Sequence, residues 1–469
     1  SPGHPGEGLG EVSSRTKGAS SAQTLTPTLS RSTGRGGGES QSAWVALYQW
    51  LATHECSNDA IDVMRFRAWR ALSYENLAEL SDGVKARLFA SPLNGSVSRI
   101  ETFATCPFKH FARYGLGLSE REDAEVTSLD LGNVYHGILE QLVGDMVRAN
   151  KNWGADPKNI TEAAINKYAR AVGEDLKGEL MLSTARNQYL LSHIERTLGQ
   201  VIESQSAAAA RGGFKPLRAE LEFGFGSSDG LPALELKTPA GNRLRLRGKI
   251  DRVDLLEEQA AFAVIDYKLS GNQLSLDRVY HGISLQLLTY LLVLQANGEK
   301  LAGKKLTPAA AFYVKLLRQL DDVKHPDEAV LPEEEAFHLQ VKPRGVINRE
   351  FLSDIDEKIG PGVRSEVVQA AIKKDGEIGF RKNSDAAEVH EFVALLKHVE
   401  KRLGELGDQI IAGRIDVLPY RMGLLTPCPD CEYRAVCRFD PLTNRYNQLT
   451  VRGREGVLDQ LAQEGRDGE

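Results

Sequence analysis

The chain of 469 residues has an ordinary globular composition, with 41% hydrophobic and 26% charged residues. Its longest apolar runs are too short to cross a membrane and its start carries no secretory signal peptide, so we expect a cytoplasmic protein with no membrane partner. A formal net charge of -6 excludes a uniformly basic nucleic-acid coat but still allows a local basic groove.

Composition divides the chain into four parts. Residues 1–42 are rich in Gly, Ser, Thr and Pro and are predicted to be disordered, because they cannot bury enough apolar surface. Residues 43–95 suit short amphipathic helices and are predicted to be the helical end of an upstream module. We expect one domain over 96–440 and a C-terminal tail over 441–469. Because the chain begins with Ser1, we expect a fragment of a longer protein.

Within 96–440 the apolar period changes from helix to strand and back. Ser98, with Glu101 three residues later, predicts a helix N-terminus closed by a capping box. The predicted helices then include VYHGILEQLVGDMVRA, ISLQLLTYLLVLQA and a long helix that ends at Gly413. The predicted strands are LRAELEFGFG, LRLRGKIDRVDLLE, AFAVIDYKLS and AAFYVKL. This order predicts an α/β fold, a mixed central sheet flanked by helices with helical additions.

Acidic residues and a lysine fall on the predicted strands. Asp266 and Lys268 are two residues apart and therefore project from one face of a strand. Asp251 lies on the strand before, where a change of apolar parity predicts a bulge, and Glu220 is a third acid on an adjacent strand. Such carboxylates suit Mg²⁺ or Mn²⁺, and the lysine could stabilise charge during phosphodiester hydrolysis. The alternative is a solvated strand end with a weak ion pair.

Polar residues on two predicted helices could complete this site. His136 has Glu140 one turn later on the same face, and could be a metal ligand or a structural histidine. Gln286 and Tyr290 are four residues apart and could contact the phosphate or the lysine, or form a polar stripe on a buried helix.

Three of the five cysteines lie within ten residues: Cys428, Cys431 and Cys437. In a chain without a secreted disulfide pattern, such clustering is more typical of metal ligands. Three thiolates are one short of a tetrahedral site. Cys56 stands apart and is predicted to be a buried free thiol.

Two groups of cations are candidates for DNA contact. One is the alternating row Arg243, Arg245, Arg247 and Lys249. The other interleaves Lys109, His110 and Arg113 with Phe108, Phe111 and Tyr114. Cations bind phosphates and aromatic rings stack on bases, but a solvated strand face and an inward-packed helix explain the same patterns. No segment is suited to reading base edges, so we expect little sequence preference.

The motifs, taken in order, resemble one nuclease family. They are SRIETFATCPFKHFARYGLGL, LGNVYHGILE, GKIDRVD, VIDYKLSG, QLLTYLL and PCPDCEYRAVCRF. They are similar to the RecB-like branch of the PD-(D/E)XK nucleases, and most of all to the C-terminal nuclease region of the AddB type, over residues 98–440. The resemblance implies a restriction-endonuclease-like core.

The resemblance also implies roles for single residues. His136, Asp251 and Asp266 look like the metal-binding group. Lys268 looks like the catalytic lysine, acting with those two aspartates. The family's helix motif falls on Gln286 and Tyr290.

The same resemblance supplies a fourth cysteine. In AddB-type nucleases a 4Fe–4S cluster is held by the equivalents of Cys106, Cys428, Cys431 and Cys437, which would join the N- and C-terminal parts of the domain. Four thiolates suit zinc as well, so zinc stays the alternative on ligand chemistry alone.

The implied function is a metal-dependent DNA exonuclease. It would act on a single strand or a duplex end, beside an AddA-like helicase–nuclease subunit that processes double-strand breaks for recombinational repair. The alternative is a non-catalytic DNA-binding or scaffold module held together by its Fe–S cluster.

Overall fold

The computed structural model of the protein describes most of the chain from residue 79 onward. The described residues are 46–47, 49–50, 59–72, 76, 79–121, 126–149, 151, 157–175, 180–269, 274–317, 342–442 and 444–467. The predicted disordered segment 1–42 and the predicted free thiol Cys56 lie outside the described residues, so both stay predictions.

The chain divides into two compact units, Ser1–Tyr74 and Glu75–Glu469. The first unit contains helix α1, Asp59–Leu72. The second unit contains all the elements that carry the predicted site residues. It begins before residue 96 and continues after residue 440, so it is longer at both ends than the predicted domain.

A mixed sheet forms the centre of the second unit. In chain order its strands are β1 (Leu93–Ser96), β2 (Lys215–Phe223), β3 (Leu234–Lys237), β4 (Arg243–Leu256), β5 (Ala261–Lys268), β6 (Thr307–Lys315), β7 (Arg344–Asn348) and β8 (Ala386–Ala387). Their order across the sheet is β1-β4-β5-β6-β7-β8, and β2 and β3 also pair with β4. The predicted α/β fold with a mixed central sheet is therefore confirmed.

The long strand β4 joins two parts of this sheet. Its first residues pair in parallel with β1 and antiparallel with β3, while its second half pairs antiparallel with β2 and with β5. β5 then runs parallel to β6. Because these pairings meet on β4 and β5, side chains from distant parts of the sequence converge there.

Helices surround the sheet. They are α2 (Asp82–Leu88), α3 (Val97–Thr105), α4 (Pro107–His110), α5 (Ser128–Arg148), α6 (Pro157–Asp175), α7 (Ala185–Ala209), α8 (Leu276–Tyr280), α9 (Gln286–Ala302), α10 (Leu352–Ile355), α11 (Val389–Ile411), α12 (Arg434–Cys437) and α13 (Gly453–Asp467). Two short strands, β9 (Tyr420–Met422) and β10 (Asn447–Leu449), pair in parallel apart from the main sheet.

The helices cover both faces of the sheet. On one face Val264 of β5 shares an apolar core with Leu288 of α9 and with α11. On the other face Ile265 shares a core with Ile138 of α5 and with α6 and α7. The alternation along β5 thus serves two helix layers, which explains why the strand is an almost continuous apolar run.

The segment after residue 440 belongs to the main core. Val457, Leu458 and Leu461 of α13 are buried within the core that α9 and α11 share, and α13 packs against α11. The structural unit therefore includes residues that the sequence analysis placed in a tail.

The predicted cap of α3 is wrong. Ser96, the last residue of β1, is the N-cap, and its hydroxyl accepts a hydrogen bond from the Arg99 amide at 3.3 Å. Ser98 lies one residue inside the helix. Glu101 does not close a capping box there, because its carboxylate is bonded to another helix, as described below.

Among the described residues, no helix is both long and apolar enough to span a lipid bilayer. This agrees with the absence of long apolar runs in the sequence.

Candidate active site

Asp266 and Lys268 lie together at the carboxyl end of β5. Asp266 is only 1% exposed, and the Lys268 ammonium Nζ lies 2.5 Å from its Oδ2. Burial raises the pKa of Asp266, the nearby Asp251 carboxylate adds to that shift, and Lys268 opposes it. A carboxylate this deeply buried needs its cation close by, so the two side chains form one unit.

A second group lies beside this pair. His136 on α5, Glu220 on β2 and Asp251 on β4 bring one ligand atom each within 4.8 Å of one another. The His136 Nδ1 is 3.4 Å from the Asp251 Oδ2 and 3.7 Å from the Glu220 Oε1. In the part of the chain that the structure describes, this is the one group of three such side chains that is close enough to share a metal ion.

The orientation of His136 is fixed from behind. Its Nε2 lies 3.0 Å from the Tyr267 carbonyl oxygen, to which an Nε2–H donates, so Nδ1 faces the two carboxylates. Burial lowers the pKa of His136, but Asp251 and Glu220 outweigh burial and raise it to about 10. Metal binding at this position therefore requires the proton to leave Nδ1.

Backbone irregularity places the two carboxylates. Glu220 and Asp251 stand opposite each other, between the register pairs Ala219–Arg252 and Leu221–Ile250. Glu220 has φ 47°, a left-handed conformation that a side chain other than glycine rarely adopts. The bulge predicted in β4 beside Asp251 is not there, because β4 keeps one register with β2 on both sides of Asp251. The register shift of this strand pair lies in β2, between Pro216 and Arg218.

Asp266 is not part of the close metal group. Its carboxylate is held instead by Lys268 and by the Gln286 amide, whose Nε2 lies 3.4 Å from Oδ1. The close group thus contains Glu220 beside His136 and Asp251, and the assignment of Asp266 to the metal stays a prediction. The signal in the sequence was present, since Glu220 was identified as a third acid on an adjacent strand.

The helix motif contacts this site as a chain of hydrogen bonds. Gln286 is the first residue of α9, and its Nε2 also donates to the Tyr290 hydroxyl at 2.7 Å. Tyr290 is 4% exposed, and burial together with the Asp266 charge raises its pKa well above the usual value. Gln286 thus contacts Asp266 directly and Tyr290 contacts Gln286, so the two residues together orient the Asp266 carboxylate.

Glu101 is a residue that the sequence analysis assigned to the wrong place. Its Oε1 accepts hydrogen bonds from the Leu285 amide at 2.6 Å and the Gln286 amide at 2.8 Å. It thereby caps the N-terminus of α9, where amide groups have no partner within the helix. Because Glu101 and Gln286 are 185 positions apart, no local pattern could have shown this contact.

The four predicted cysteines gather at one cavity. Cys106, Cys428, Cys431 and Cys437 line a space of about 230 Å³. Cys106 is buried and the other three are partly buried, and burial raises the pKa of Cys106 to about 11. The Cys106 segment is also tied to the connection between α11 and β9, by a hydrogen bond from the Phe108 amide to the Asp416 carbonyl at 3.0 Å.

Comparison with known proteins shows the family of the chain. A family model of the PD-(D/E)XK nuclease superfamily matches residues 94–438. The chain belongs to the PD-(D/E)XK nuclease superfamily. The matched range begins in β1 and ends just after Cys437, so it contains both the carboxylate site and the cysteine cavity.

Relatives of this chain are bacterial proteins named as one subunit, of the AddB type, of an ATP-dependent helicase/deoxyribonuclease. The Moorella thermoacetica protein is 34% identical over 406 residues, which cover 85% of this chain and 34% of the relative. The Symbiobacterium thermophilum protein is 32% identical over 468 residues, covering 96% of this chain and 39% of the relative. The Listeria welshimeri protein is 31% identical over 408 residues, which cover 84% of this chain and 34% of the relative.

The chain thus spans between 34% and 39% of the length of these three relatives. Since all three relatives are of the AddB type, the resemblance drawn from the motifs is confirmed.

Proposed function

We propose that the chain is the nuclease part of a helicase–nuclease, a metal-dependent DNA exonuclease that hydrolyses phosphodiester bonds. The observation that carries this proposal is the buried Asp266–Lys268 pair beside His136, Glu220 and Asp251. A structural ion pair alone would not need three further ligand-type side chains turned toward a common point.

The donor set fits a hard divalent cation. His136 offers Nδ1, and Glu220 and Asp251 offer carboxylate oxygens, so oxygen predominates as Mg²⁺ and Mn²⁺ prefer. The hydrogen bond from His136 to the Tyr267 carbonyl gives the outer support that metal-bound histidines usually have. When bound, Mg²⁺ or Mn²⁺ polarises the phosphate and makes a coordinated water more acidic.

The residues of the chain supply the remaining chemistry. Hydrolysis joins a water oxygen to phosphorus and expels a sugar oxygen, while negative charge builds up on the phosphoryl oxygens. Burial lowers the pKa of Lys268, but Asp266, Asp251 and Glu101 together outweigh burial and raise it, so the lysine stays protonated at neutral pH. Its ammonium can stabilise that charge, and Gln286 and Tyr290 keep Asp266 in place beneath it.

For the cysteine cavity we propose a 4Fe–4S cluster rather than zinc. Since Zn–S bonds are ~2.3 Å, the sulfurs of a tetrahedral zinc site lie about 3.8 Å apart. Among the described residues, no three cysteine sulfurs lie within 4.8 Å of one another. This spread and the cavity of about 230 Å³ support a polynuclear cluster. Iron and zinc analysis of anaerobically purified protein tests the choice.

The relatives are named as subunits of an ATP-dependent helicase/deoxyribonuclease. We therefore propose that the chain works beside an AddA-like helicase–nuclease subunit, on DNA ends that enter recombinational repair. In this arrangement the strand is delivered by motor domains, and the chain cuts it with little sequence preference.

The experiment that tests the proposal is a Mg²⁺-dependent cleavage assay on end-labelled DNA. Asp266→Asn and Lys268→Ala should each abolish cleavage. Asp266→Asn should melt near the wild type, whereas Lys268→Ala leaves the buried Asp266 carboxylate without its cation and should melt lower. The matched controls Asp375→Asn and Lys374→Ala change exposed residues of the same types and should cleave normally. Wild-type cleavage by either site variant would refute the site. DNA binding without any hydrolysis in the wild type would favour a non-catalytic scaffold module.

A further inference from the structure

One face of β4 carries a row of exposed cations. They occupy alternate positions and are Arg243, Arg245, Arg247 and Lys249. The residues between them, Leu244 and Leu246, are fully buried in the core. The regular alternation that the sequence left open is therefore present, and the four cations share one solvent-facing side of the strand.

The spacing of the row suits a nucleic-acid backbone. Each residue of a β-strand rises ~3.3–3.4 Å, so alternate side chains follow one another at about 6.7 Å. That is of the order of the separation of successive phosphates along an extended single strand. Lys237 on β3 stands opposite Arg243 in the register and is also exposed, which widens the row at its far end.

The row leads to the candidate active site. The Lys249 Nζ lies 2.7 Å from the Glu220 Oε2, and the other oxygen of Glu220 lies 3.7 Å from the His136 Nδ1. Asp251 follows Lys249 by two residues on the same strand. The last cation of the row thus touches the group proposed to hold the metal.

An aromatic ring lies beside the third cation. Phe225 follows β2 and is 53% exposed, and the Arg247 guanidinium carbon is 5.3 Å from the centre of its ring. An exposed ring next to a phosphate-binding cation is the arrangement on which unpaired bases stack in single-strand binding proteins. A paired base cannot use this ring, because it is already stacked within the duplex.

The ion pair within the row does not block it. Arg245 lies 2.9 Å from Glu235, and both side chains are about half exposed. An exposed pair of this kind contributes little to stability, so a phosphate can replace the carboxylate.

The second group of cations lacks these properties. His110 is fully buried, and its Nε2 accepts a hydrogen bond from the Arg99 Nε at 3.1 Å. Phe108 and Lys109 line the cysteine cavity instead of an open face. The inward-packed alternative therefore holds for His110. Arg113 is exposed and lies 5.6 Å from the centre of the Tyr114 ring, but it is a single exposed cation and not a row.

We propose that Arg243, Arg245, Arg247 and Lys249 form the track along which one unpaired DNA strand reaches the metal group, with Phe225 stacking on a base. This proposal rests on the proposed nuclease function and deepens it. One line of cations follows one backbone, and the exposed ring needs an unstacked base, so the occupant is single-stranded DNA.

Binding of labelled oligothymidylate to the full chain tests the track. The measurements are made in Ca²⁺ or EDTA at several NaCl concentrations, so that cleavage does not interfere. The triple variant Arg243→Gln/Arg245→Gln/Arg247→Gln should raise Kd on the order of tenfold. Its plot of log K against log salt should become shallower by roughly two, since each lost contact with a single strand removes about 0.7.

A matched control removes three positive charges elsewhere. Lys374, Lys397 and Lys401 are exposed and lie outside the sheet. The variant Lys374→Gln/Lys397→Gln/Lys401→Gln has the same net charge as the triple arginine variant and should keep the wild-type Kd. Equal Kd values for the two triple variants would overturn the track.

A gain of affinity excludes a folding defect as the explanation. Glu235→Gln frees Arg245 and should tighten oligothymidylate binding about twofold, whereas damage to the fold would weaken it. Phe225→Ala should weaken binding to the single strand more than binding to a blunt duplex of the same sequence. The same loss on both DNAs would overturn the assignment to single strands.

The two proposals fail in different ways. If the wild type binds oligothymidylate but cleaves no DNA with Mg²⁺, the nuclease function fails while the ranking of Kd values still decides the track. If cleavage depends on Asp266 but the triple arginine variant shows wild-type KM and Kd, the nuclease function stands and the track is overturned.

Discussion

The carboxylate site and the cysteine cavity are built in opposite ways. Side chains of the carboxylate site are held by protein groups: Asp266 has Lys268 and Gln286 beside it, and His136 has the Tyr267 carbonyl. These side chains project from a buried strand and from long helices that bury their apolar faces in the cores on each side of the sheet. The protein itself therefore holds this geometry.

The cysteine cavity is held by fewer packed elements than the carboxylate site. Cys428 and Cys431 lie in a loop outside helix and strand, and Cys437 ends the short helix α12. A few hydrogen bonds hold this loop, among them the Tyr433 hydroxyl to the Leu118 carbonyl at 2.8 Å and the Asn76 amide to the Cys437 carbonyl at 2.8 Å. We therefore expect loss of a ligand to lower activity at the carboxylate site and to lower stability at the cysteine cavity.

The largest expected effect is at the carboxylate site. Glu220→Gln removes a negative ligand from the group around His136, so Mg²⁺-dependent cleavage should fall on the order of a hundredfold or more. The melting temperature should change little, because the strands that carry the site remain packed. The measurements are cleavage rate against Mg²⁺ concentration and thermal unfolding.

Glu222→Gln is the matched control for Glu220. Glu222 lies on the same strand, its carboxylate accepts a hydrogen bond from the Ser227 hydroxyl, and it is not one of the three residues grouped around His136. It should cleave at nearly the wild-type rate. Equal losses in the two variants would mean that the strand, and not the metal group, had been disturbed.

The second effect is at the cysteine cavity and falls on stability. Cys428→Ala should lose iron and lower the free energy of unfolding by roughly 4 kcal/mol, the order expected for a link that closes a very long loop. Iron content and thermal melting measure the two results. Cys56→Ala should change neither. Iron loss without any fall in melting temperature would erase the contrast between the two regions.

Helix α3 connects the two regions and carries the next largest effect. Glu101 lies on α3, and Cys106 follows directly after this helix. Glu101→Gln keeps an acceptor for the Leu285 and Gln286 amides but loses the charge, so kcat should fall about tenfold with KM unchanged. Glu101→Ala leaves both amides unpaired and should also destabilise the fold by about 2 kcal/mol.

Ser98→Ala is the control on the same helix. The sequence favoured a capping role for Ser98, but Ser96 holds that position. The control should change kcat and stability only slightly. A larger loss from Ser98→Ala than from Glu101→Gln would support the capping box and contradict the contact with α9.

The sequence predicted what depends on local pattern. β5, α9 and α11 bury regular apolar faces, and the helix end at Gly413, which has φ 73°, follows from glycine's freedom to adopt a left-handed conformation. Strand β1 was not predicted, because LNGS is short and polar and becomes a strand only by pairing with β4 some 150 residues later. The contact between Glu101 and α9 was not predicted either, because it also joins distant parts of the chain.

In the candidate site, too, local pattern predicted some contacts, while others depend on the fold. Asp266 and Lys268 are two residues apart, so the strand period alone placed them together. The closeness of Glu220 to His136 depends on the left-handed backbone at Glu220, which no residue type in AELEF signals. The cysteines could be grouped by resemblance, but the width of their cavity required the packing of distant loops.

The smallest effect tests the scaffold behind the carboxylate site. His398 lies on α11, which packs against α9 and α3. Its ring stacks on Tyr280 at 4.8 Å, and its Nε2–H donates to the Tyr280 carbonyl at 2.9 Å. Burial lowers the pKa of His398, and nearby Arg402 adds to that shift, so the fold favours the neutral ring.

A group whose pKa is lower in the folded than in the unfolded chain stabilises the fold above its unfolded pKa, about 6.5 for histidine. That stability is lost as pH falls below this value toward the folded pKa. His398→Gln should therefore flatten the acid side of the stability profile by about 1 kcal/mol or less between pH 7 and 5, measured by urea unfolding. His390→Gln, at the exposed start of the same helix, should leave the slope unchanged. If instead the acid slope followed the iron content of the sample, the cysteine cavity and not the carboxylate scaffold would set the pH limit of the fold.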